Sequence, residues 1–162
     1  RLLFAIGDVS DKGMPAALFM AGTCTLIRAI AETETDPAVM VSRINNLLST
    51  NNPNLMFVTL IVGTLDLKTG ELQWANAGHS ALCVLRPDGE LKLLEGRSGP
   101  ACGVQDGLPY RRFEAVLAPD EVLIGYTDGV TEAVGPGNEQ YGENRLYAAL
   151  APVAVRLGYP AD

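Results

Sequence analysis

The sequence predicts an α+β fold built on antiparallel sheet, from three observations. Two helical patterns follow one another near the start, from Met14 to Leu48. From Met56 to Tyr126 the chain then turns to short apolar runs separated by turn signals. Helices and strands are therefore grouped rather than alternating, which disfavours a parallel βαβ sheet. The 162 residues suit one domain with a real core, read as spanning 1–162.

Taken in order, Leu2 to Ile6 is an apolar run that reads as a buried strand, ending at the carboxylate of Asp8. A turn held between Gly7 and Gly13 leads into a helix from Met14 to about Glu32, with Pro15 suited to its first position, where no N–H is needed. Apolar residues on most of its sides (Met14, Leu18, Phe19, Ala21, Leu26, Ile30) predict a helix packed on a sheet with little exposed face. Gly22, two threonines and Arg28 interrupt it as a bilayer span. Asp36-Pro37 is an N-cap followed by a first-turn proline. Met40, Val41, Ile44, Leu47 and Leu48 form the apolar stripe of the second helix, with Ser42, Arg43, Asn45 and Asn46 opposite. Asn51-Asn52-Pro53-Asn54 breaks it.

Met56 to Leu65 and Glu71 to Ala77 read as strands joined by a hairpin loop at Asp66–Gly70. Ser80 to Arg86 and Leu91 to Leu94 flank the turn Pro87-Asp88-Gly89, where proline sets φ and glycine takes the left-handed position. A loop dense in Gly and Pro covers Gly96 to Gly107. Arg112 to Leu117 and Val122 to Tyr126, joined at Ala118–Glu121, read as a last hairpin. The chain then loosens through Gly135-Pro136-Gly137, forms a short helix from about Glu143 to Leu150, and becomes irregular around Pro152, Gly158 and Pro160.

A net charge of −7, with the twelve basic residues scattered, excludes an extended nucleic-acid surface, because neutralising phosphates needs clustered Lys and Arg. Cys24, Cys83 and Cys102 form no C-x-x-C pair and sit in apolar contexts, so they are read as buried free thiols of a reducing, cytoplasmic compartment. The sequence shows no signal peptide.

Two strands end alike. Ala5-Ile6-Gly7-Asp8 and Ile124-Gly125-Tyr126-Thr127-Asp128-Gly129 both run from apolar residues to a terminal aspartate beside a turn. If such strands are neighbours, their carboxylates converge and suit a hard divalent cation. An aspartate in such a place is by itself more often a turn or cap residue; two such endings in one chain bring the two readings level, and spacing does not decide between them. His79, the sole histidine, follows Asn76-Ala77-Gly78 between two strands. It reads either as a half-buried turn residue or as an accessory metal contact. Ser10 lacks the nucleophile elbow of a Ser-His-Asp hydrolase. No phosphate-binding Gly-x-x-x-x-Gly-Lys-Ser/Thr loop occurs. A D-x-D-G aspartyl-phosphate motif fails because Tyr126 stands where its nucleophile would be. Lys12 and Arg145 read as surface charges.

Seven blocks nevertheless occur in a familiar order. They are Gly7-Asp8-Val9-Ser10-Asp11-Lys12-Gly13; Pro15-Ala16-Ala17-Leu18; Phe57-Val58-Thr59; Asn76-Ala77-Gly78-His79; Gly99 to Val104; Tyr126 to Ala133; and Tyr141-Gly142-Glu143-Asn144-Arg145-Leu146. In this order the chain resembles the bacterial SpoIIE-like phosphatases, metal-dependent enzymes of the phosphatase 2C type. The resemblance covers nearly all of the chain. It implies an α-β-β-α sandwich of two antiparallel sheets flanked by helices and a site holding two Mn²⁺ or Mg²⁺ ions. Asp8 would bridge the ions, Val9 would offer its backbone carbonyl, and Asp128 would bind one ion. His79 and Gly129 are possible accessory positions. The implied reaction is hydrolysis of phosphoserine or phosphothreonine by a metal-activated water, without a phosphoenzyme.

The implied substrate is a phosphorylated anti-sigma-factor antagonist. The implied context is a parent chain with an upstream sensor or receiver domain, compatible with a membrane tether and with a homodimer. Two features of the family's pattern are missing: an upstream metal-binding aspartate and a closing Asp-Asp-x-Thr segment. The chain is accordingly read as a domain truncated at both ends, and Asp162 is not assigned as a ligand. The alternative expectation is a catalytically incomplete, phosphatase-like module that grips a partner protein.

Overall fold

The computed structural model describes residues 1–50 and 52–153. Asn51, Gly158, Pro160 and Asp162, which entered the sequence reading, lie outside them. The described elements run in the order β1 (Leu2–Val9), α1 (Met14–Ala31), α2 (Pro37–Ser49), β2 (Val58–Leu65), β3 (Glu71–Ala77), β4 (Leu82–Leu85), β5 (Leu91–Leu94), β6 (Phe113–Val116), β7 (Val122–Ile124), α3 (Asp128–Thr131) and α4 (Glu143–Leu150). This is the α+β class with two antiparallel sheets, and the chain forms two compact units.

The first unit comprises Arg1–His79 and Gly96–Val116. Its sheet has the order β1-β2-β3-β6, antiparallel throughout. Val58, Leu60 and Val62 of β2 share one strand face and are buried against Met40, Val41, Ile44 and Leu48 of α2 and Ile30 of α1. Burying each of these large side chains contributes roughly 1.5–3 kcal/mol. The start of α2 follows from the sequence: Asp36 caps it by accepting from Ala38 N–H at 2.8 Å, and Pro37 opens the first turn. Within α2, two assignments reverse. Leu47 is half exposed, whereas Asn45 is fully buried. The Asn45 amide explains why: its Nδ2 donates to the Gln105 carbonyl at 2.8 Å and its Oδ1 accepts from Gly103 N–H at 3.0 Å. A buried polar side chain with its partners supplied is tolerated in a core, and this one holds the 103–105 loop against the helix.

Helix α1 departs from expectation on its outer side. Phe19, Met20, Leu26 and Ile27 pack on the core, but Met14 and Leu18 are 72% and 66% exposed. One stripe of a straight helix meets a sheet, and the remaining apolar positions stay outside it. Pro15 is the second rather than the first helical residue, because Gly13 is the N-cap. By length and composition alone, α1 is apolar enough to cross a membrane.

The second unit comprises, among the described residues, Ser80–Glu95 and 117–153. Its sheet has β4 between β5 and β7, both antiparallel to it. The β4–β5 hairpin is as expected. The expected hairpin of Arg112 to Leu117 with Val122 to Tyr126 does not form: β6 pairs with β3, and β7 pairs with β4. Likewise β3 and β4 belong to different sheets. A tight turn places strands in sequence but does not choose their partners. The segment expected to loosen after Asp128 is ordered: Val134 bridges Gln140, and Gly135 N–H donates to the Glu139 carbonyl. Cys24 is exposed rather than buried; Cys83 and Cys102 are buried, and all three are free thiols.

Candidate metal centre

Asp8 lies inside β1, one residue before its end, rather than beyond the strand, and is half-buried opposite Thr59 of β2. The strands approach closely because the preceding position is Gly7. A Cβ there would lie 2.7 Å from the Thr59 carbonyl oxygen and 3.2 Å from a Leu60 methyl. Beyond β1, Ser10 continues the pairing by donating its N–H to Phe57 O at 2.8 Å and accepting Phe57 N–H on Oγ at 3.0 Å.

Val9 is set by the alternation of the ladder. Its partner Val58 exchanges both backbone bonds with Cys102, each at 2.9 Å, and so turns its N–H and C=O away from β1. In an antiparallel pair, a residue opposite such a position turns its own N–H and C=O outward as well. The Val9 carbonyl therefore faces the outer edge of β1, an edge strand among the described residues. A carboxylate and an outward carbonyl from adjacent residues are hard oxygen donors of the type that Mg²⁺ and Mn²⁺ take. Among the described residues, no three His, Cys, Asp or Glu side chains gather into one group. Mg²⁺ and Mn²⁺ commonly keep several waters beside such oxygen donors.

His79 is 7% exposed. Its turn is fixed by Asn76, whose Oδ1 accepts His79 N–H at 2.8 Å and whose Nδ2 donates to the His79 carbonyl at 3.0 Å. Gly78 has φ 75° and packs against the Ala101 backbone, so a side chain there would be both strained and crowded. The imidazole Nδ1 lies 2.8 Å from Thr59 Oγ1, which also donates to the Asp8 carbonyl at 3.3 Å. The structure therefore joins Asp8, Thr59 and His79. Thr59 carried no assigned role in the sequence, where only its place in Phe57-Val58-Thr59 marked it.

Asp128 and Gly129 belong to the second unit. Asp128 does not end a strand: β7 stops at Ile124, and Asp128 is the exposed first residue of α3. Its carbonyl accepts from Glu132 N–H at 2.7 Å and from Thr131 Oγ1 at 3.2 Å. Just before it, Tyr126 is buried, donates its hydroxyl to Glu143 at 3.1 Å and lies 2.9 Å from the Tyr147 hydroxyl, tying the approach to α3 onto α4. Burial pushes the Tyr126 phenol up from its ordinary value, and its bonds to Tyr147 and Glu143 add to that.

Residues 1–157 match the family described as Stage II sporulation protein E (SpoIIE). Protein IcfG of Synechocystis sp. is 31% identical over 176 residues, covering 92% of this chain and 28% of that protein. Phosphoserine phosphatase RsbU of Bacillus subtilis is 28% identical over 129 residues, covering 79% of this chain and 38% of that protein. The chain thus spans well under half the length of either relative. Among solved structures, the RsbU and RsbW domains of Rv1364c from Mycobacterium tuberculosis superpose with a TM-score of 0.80 at 24% identity, covering 94% of this chain and 42% of that one. The catalytic domain of the serine threonine protein phosphatase PstP, solved with 2 manganese ions, superposes at 0.63 with 14% identity, covering 94% of this chain and 81% of that one. At these identities the structural likeness establishes the fold, which is that of the PP2C phosphatases.

Proposed function

Because this chain belongs to the SpoIIE family, we propose that it is the catalytic domain of a metal-dependent phosphoserine/phosphothreonine protein phosphatase. The observation that carries the proposal is the pairing, on adjacent residues at the end of β1, of the half-buried Asp8 carboxylate with the Val9 carbonyl turned away from β2. Asp8 and Val9 are proposed as ligands of a Mn²⁺ or Mg²⁺ pair, and Asp128 as a further carboxylate ligand. When bound, such ions supply a water deprotonated near neutral pH and neutralise charge on the phosphoryl oxygens. The chain's own contribution is to fix the donors. The β1–β2 ladder aims the Val9 carbonyl, Gly7 lets the strands close up beside Asp8, and Asp128 is the first residue of α3.

A phosphorylated anti-sigma-factor antagonist is the proposed substrate, supported by the likeness to RsbU. An upstream sensor or receiver domain and a cytoplasmic setting belong to the same proposal. The test is phosphate release from a phosphoserine antagonist, with Mn²⁺, by the protein and by its Asp8→Asn and Asp128→Asn variants. Turnover that survives both substitutions contradicts the proposal.

A second reading is a module that binds a phosphoprotein without hydrolysing it. The absence of a three-residue acidic or histidine group among the described residues favours it. Retained antagonist binding without phosphate release, in the unmutated protein with Mn²⁺, selects that reading.

A further inference from the structure

The imidazole of His79 reaches the Asp8 strand end through one intermediate atom, Thr59 Oγ1. This oxygen lies 2.8 Å from His79 Nδ1 and 3.3 Å from the Asp8 carbonyl oxygen. A threonine hydroxyl owns a single hydrogen. With that hydrogen on the Asp8 carbonyl, which can only accept, the hydroxyl meets Nδ1 with a lone pair, and Nδ1 must carry the imidazole proton. From this geometry we infer that His79 and Thr59 are positioning residues for the metal ligand Asp8. His79 donates through Nδ1–H to Thr59, and Thr59 donates to the Asp8 carbonyl. Together they fix the end of β1, and with it the Asp8 carboxylate and the Val9 carbonyl.

Three features of the surroundings support an ordered relay. His79 is buried at 7% exposure, and both of its backbone groups are held by the Asn76 side chain, so the ring enters from a fixed turn. Thr59 sits directly opposite Asp8 in register, so its β-branched side chain starts from the backbone that Asp8 pairs with. Gly7 brings β1 and β2 into closest approach one residue earlier. Partners that orient a ligand without touching the metal typically change affinity or activity by about 10–100-fold.

This inference rests on Asp8 being a ligand, and the test separates the two. Mn²⁺ affinity is measured directly by calorimetry and by the electron paramagnetic resonance signal of free Mn²⁺, alongside kcat and the Mn²⁺ concentration for half-maximal phosphatase activity. Thr59→Val keeps shape and removes the hydroxyl; it is expected to weaken Mn²⁺ binding by about tenfold or more and to lower the metal-free melting temperature, because the buried Nδ1–H loses this acceptor. Thr59→Ser is expected to restore it. His79→Asn places an amide nitrogen near the Nδ1 position and is expected to stay closer to the unmutated protein than His79→Gln, whose amide falls near Nε2. His79 is the only histidine of the chain, so imidazole ¹⁵N shifts report its tautomer without ambiguity. Nδ1–H is expected.

Mn²⁺ binding lost in Asp8→Asn but within twofold of normal in Thr59→Val overturns the relay and leaves the metal site standing. Mn²⁺ binding by Thr59→Ser that is about tenfold or more weaker than in the unmutated protein, or an Nε2–H imidazole, overturns the relay as well, and both outcomes remain readable if Thr59→Val does not fold. Mn²⁺ binding absent from the unmutated protein, or unchanged in Asp8→Asn, overturns the underlying functional reading and the relay with it.

Discussion

At the scale of single residues, the site depends on what is small as much as on what is charged. Gly7→Ala would place a methyl 2.7 Å from the Thr59 carbonyl oxygen, a backbone atom that cannot rotate away. The expected cost is about 1–3 kcal/mol of stability, read by urea denaturation, together with a raised Mn²⁺ requirement. Asp36 serves both as the α2 cap and as the partner of Arg112, whose Nη1 lies 2.6 Å from its Oδ2. Both side chains of that ion pair are about a third exposed, so the cap dominates. Asp36→Ala is expected to lose about 1 kcal/mol, and Asp36→Asn, which still caps, most of a kcal/mol less. The candidate aspartates were visible in the sequence as residues but not as positions. Asp8 stands within a strand and Asp128 opens a helix, because backbone pairing continues past Gly7 in one case and ceases at Ile124 in the other. The role of Thr59 was not legible at all, since it follows from strand register, which couples residues 51 apart in sequence.

At the scale of elements, local chemistry was a good guide wherever it acts locally. The Asp36-Pro37 start of α2, the span of β5 and the span of α4 all follow from caps, turns and periodicity. What failed was pairing. Arg112 to Leu117 and Val122 to Tyr126 carry a proper turn between them, yet β6 joins β3 and β7 joins β4. Strand choice is decided by long-range burial, which no window of ten residues contains. The same competition put Asn45 inside and Leu47 outside. Asn45 holds Gln105 and Gly103, and the loop it anchors carries Cys102, which exchanges backbone bonds with Val58. Asn45→Ala would leave the buried Gly103 N–H without this acceptor, at a cost of about 1–3 kcal/mol. Hydrogen exchange should show the loss concentrated in residues 102–107 and the start of β2.

At the scale of the whole molecule, the thiols report the state of the fold. Cys24 is exposed, whereas Cys83 and Cys102 are buried. A thiol reagent at pH 8 is expected to label one cysteine quickly and two only on unfolding. Burial pushes the Cys83 thiol up to about 11 and the Cys102 thiol up to about 12, from an ordinary value of 9.0. Because the native state holds these protons more tightly than the unfolded chain, stability is unaffected below about pH 9 and falls between about 9 and 12. Denaturant midpoints measured across that window check the sign.

The central claim, that a SpoIIE-family fold carries metal-dependent phosphatase chemistry on Asp8, is tested most directly by one comparison. The measurement is the steady-state rate of Mn²⁺-dependent phosphate release from a phosphoserine antagonist protein by the unmutated protein and by Asp8→Asn. Asp8→Asn would remove one proposed ligand carboxylate and with it several kcal/mol of charge stabilisation, so the predicted fall in kcat is on the order of a hundredfold or more, with the variant still folded. Equal rates in the two proteins would contradict the account.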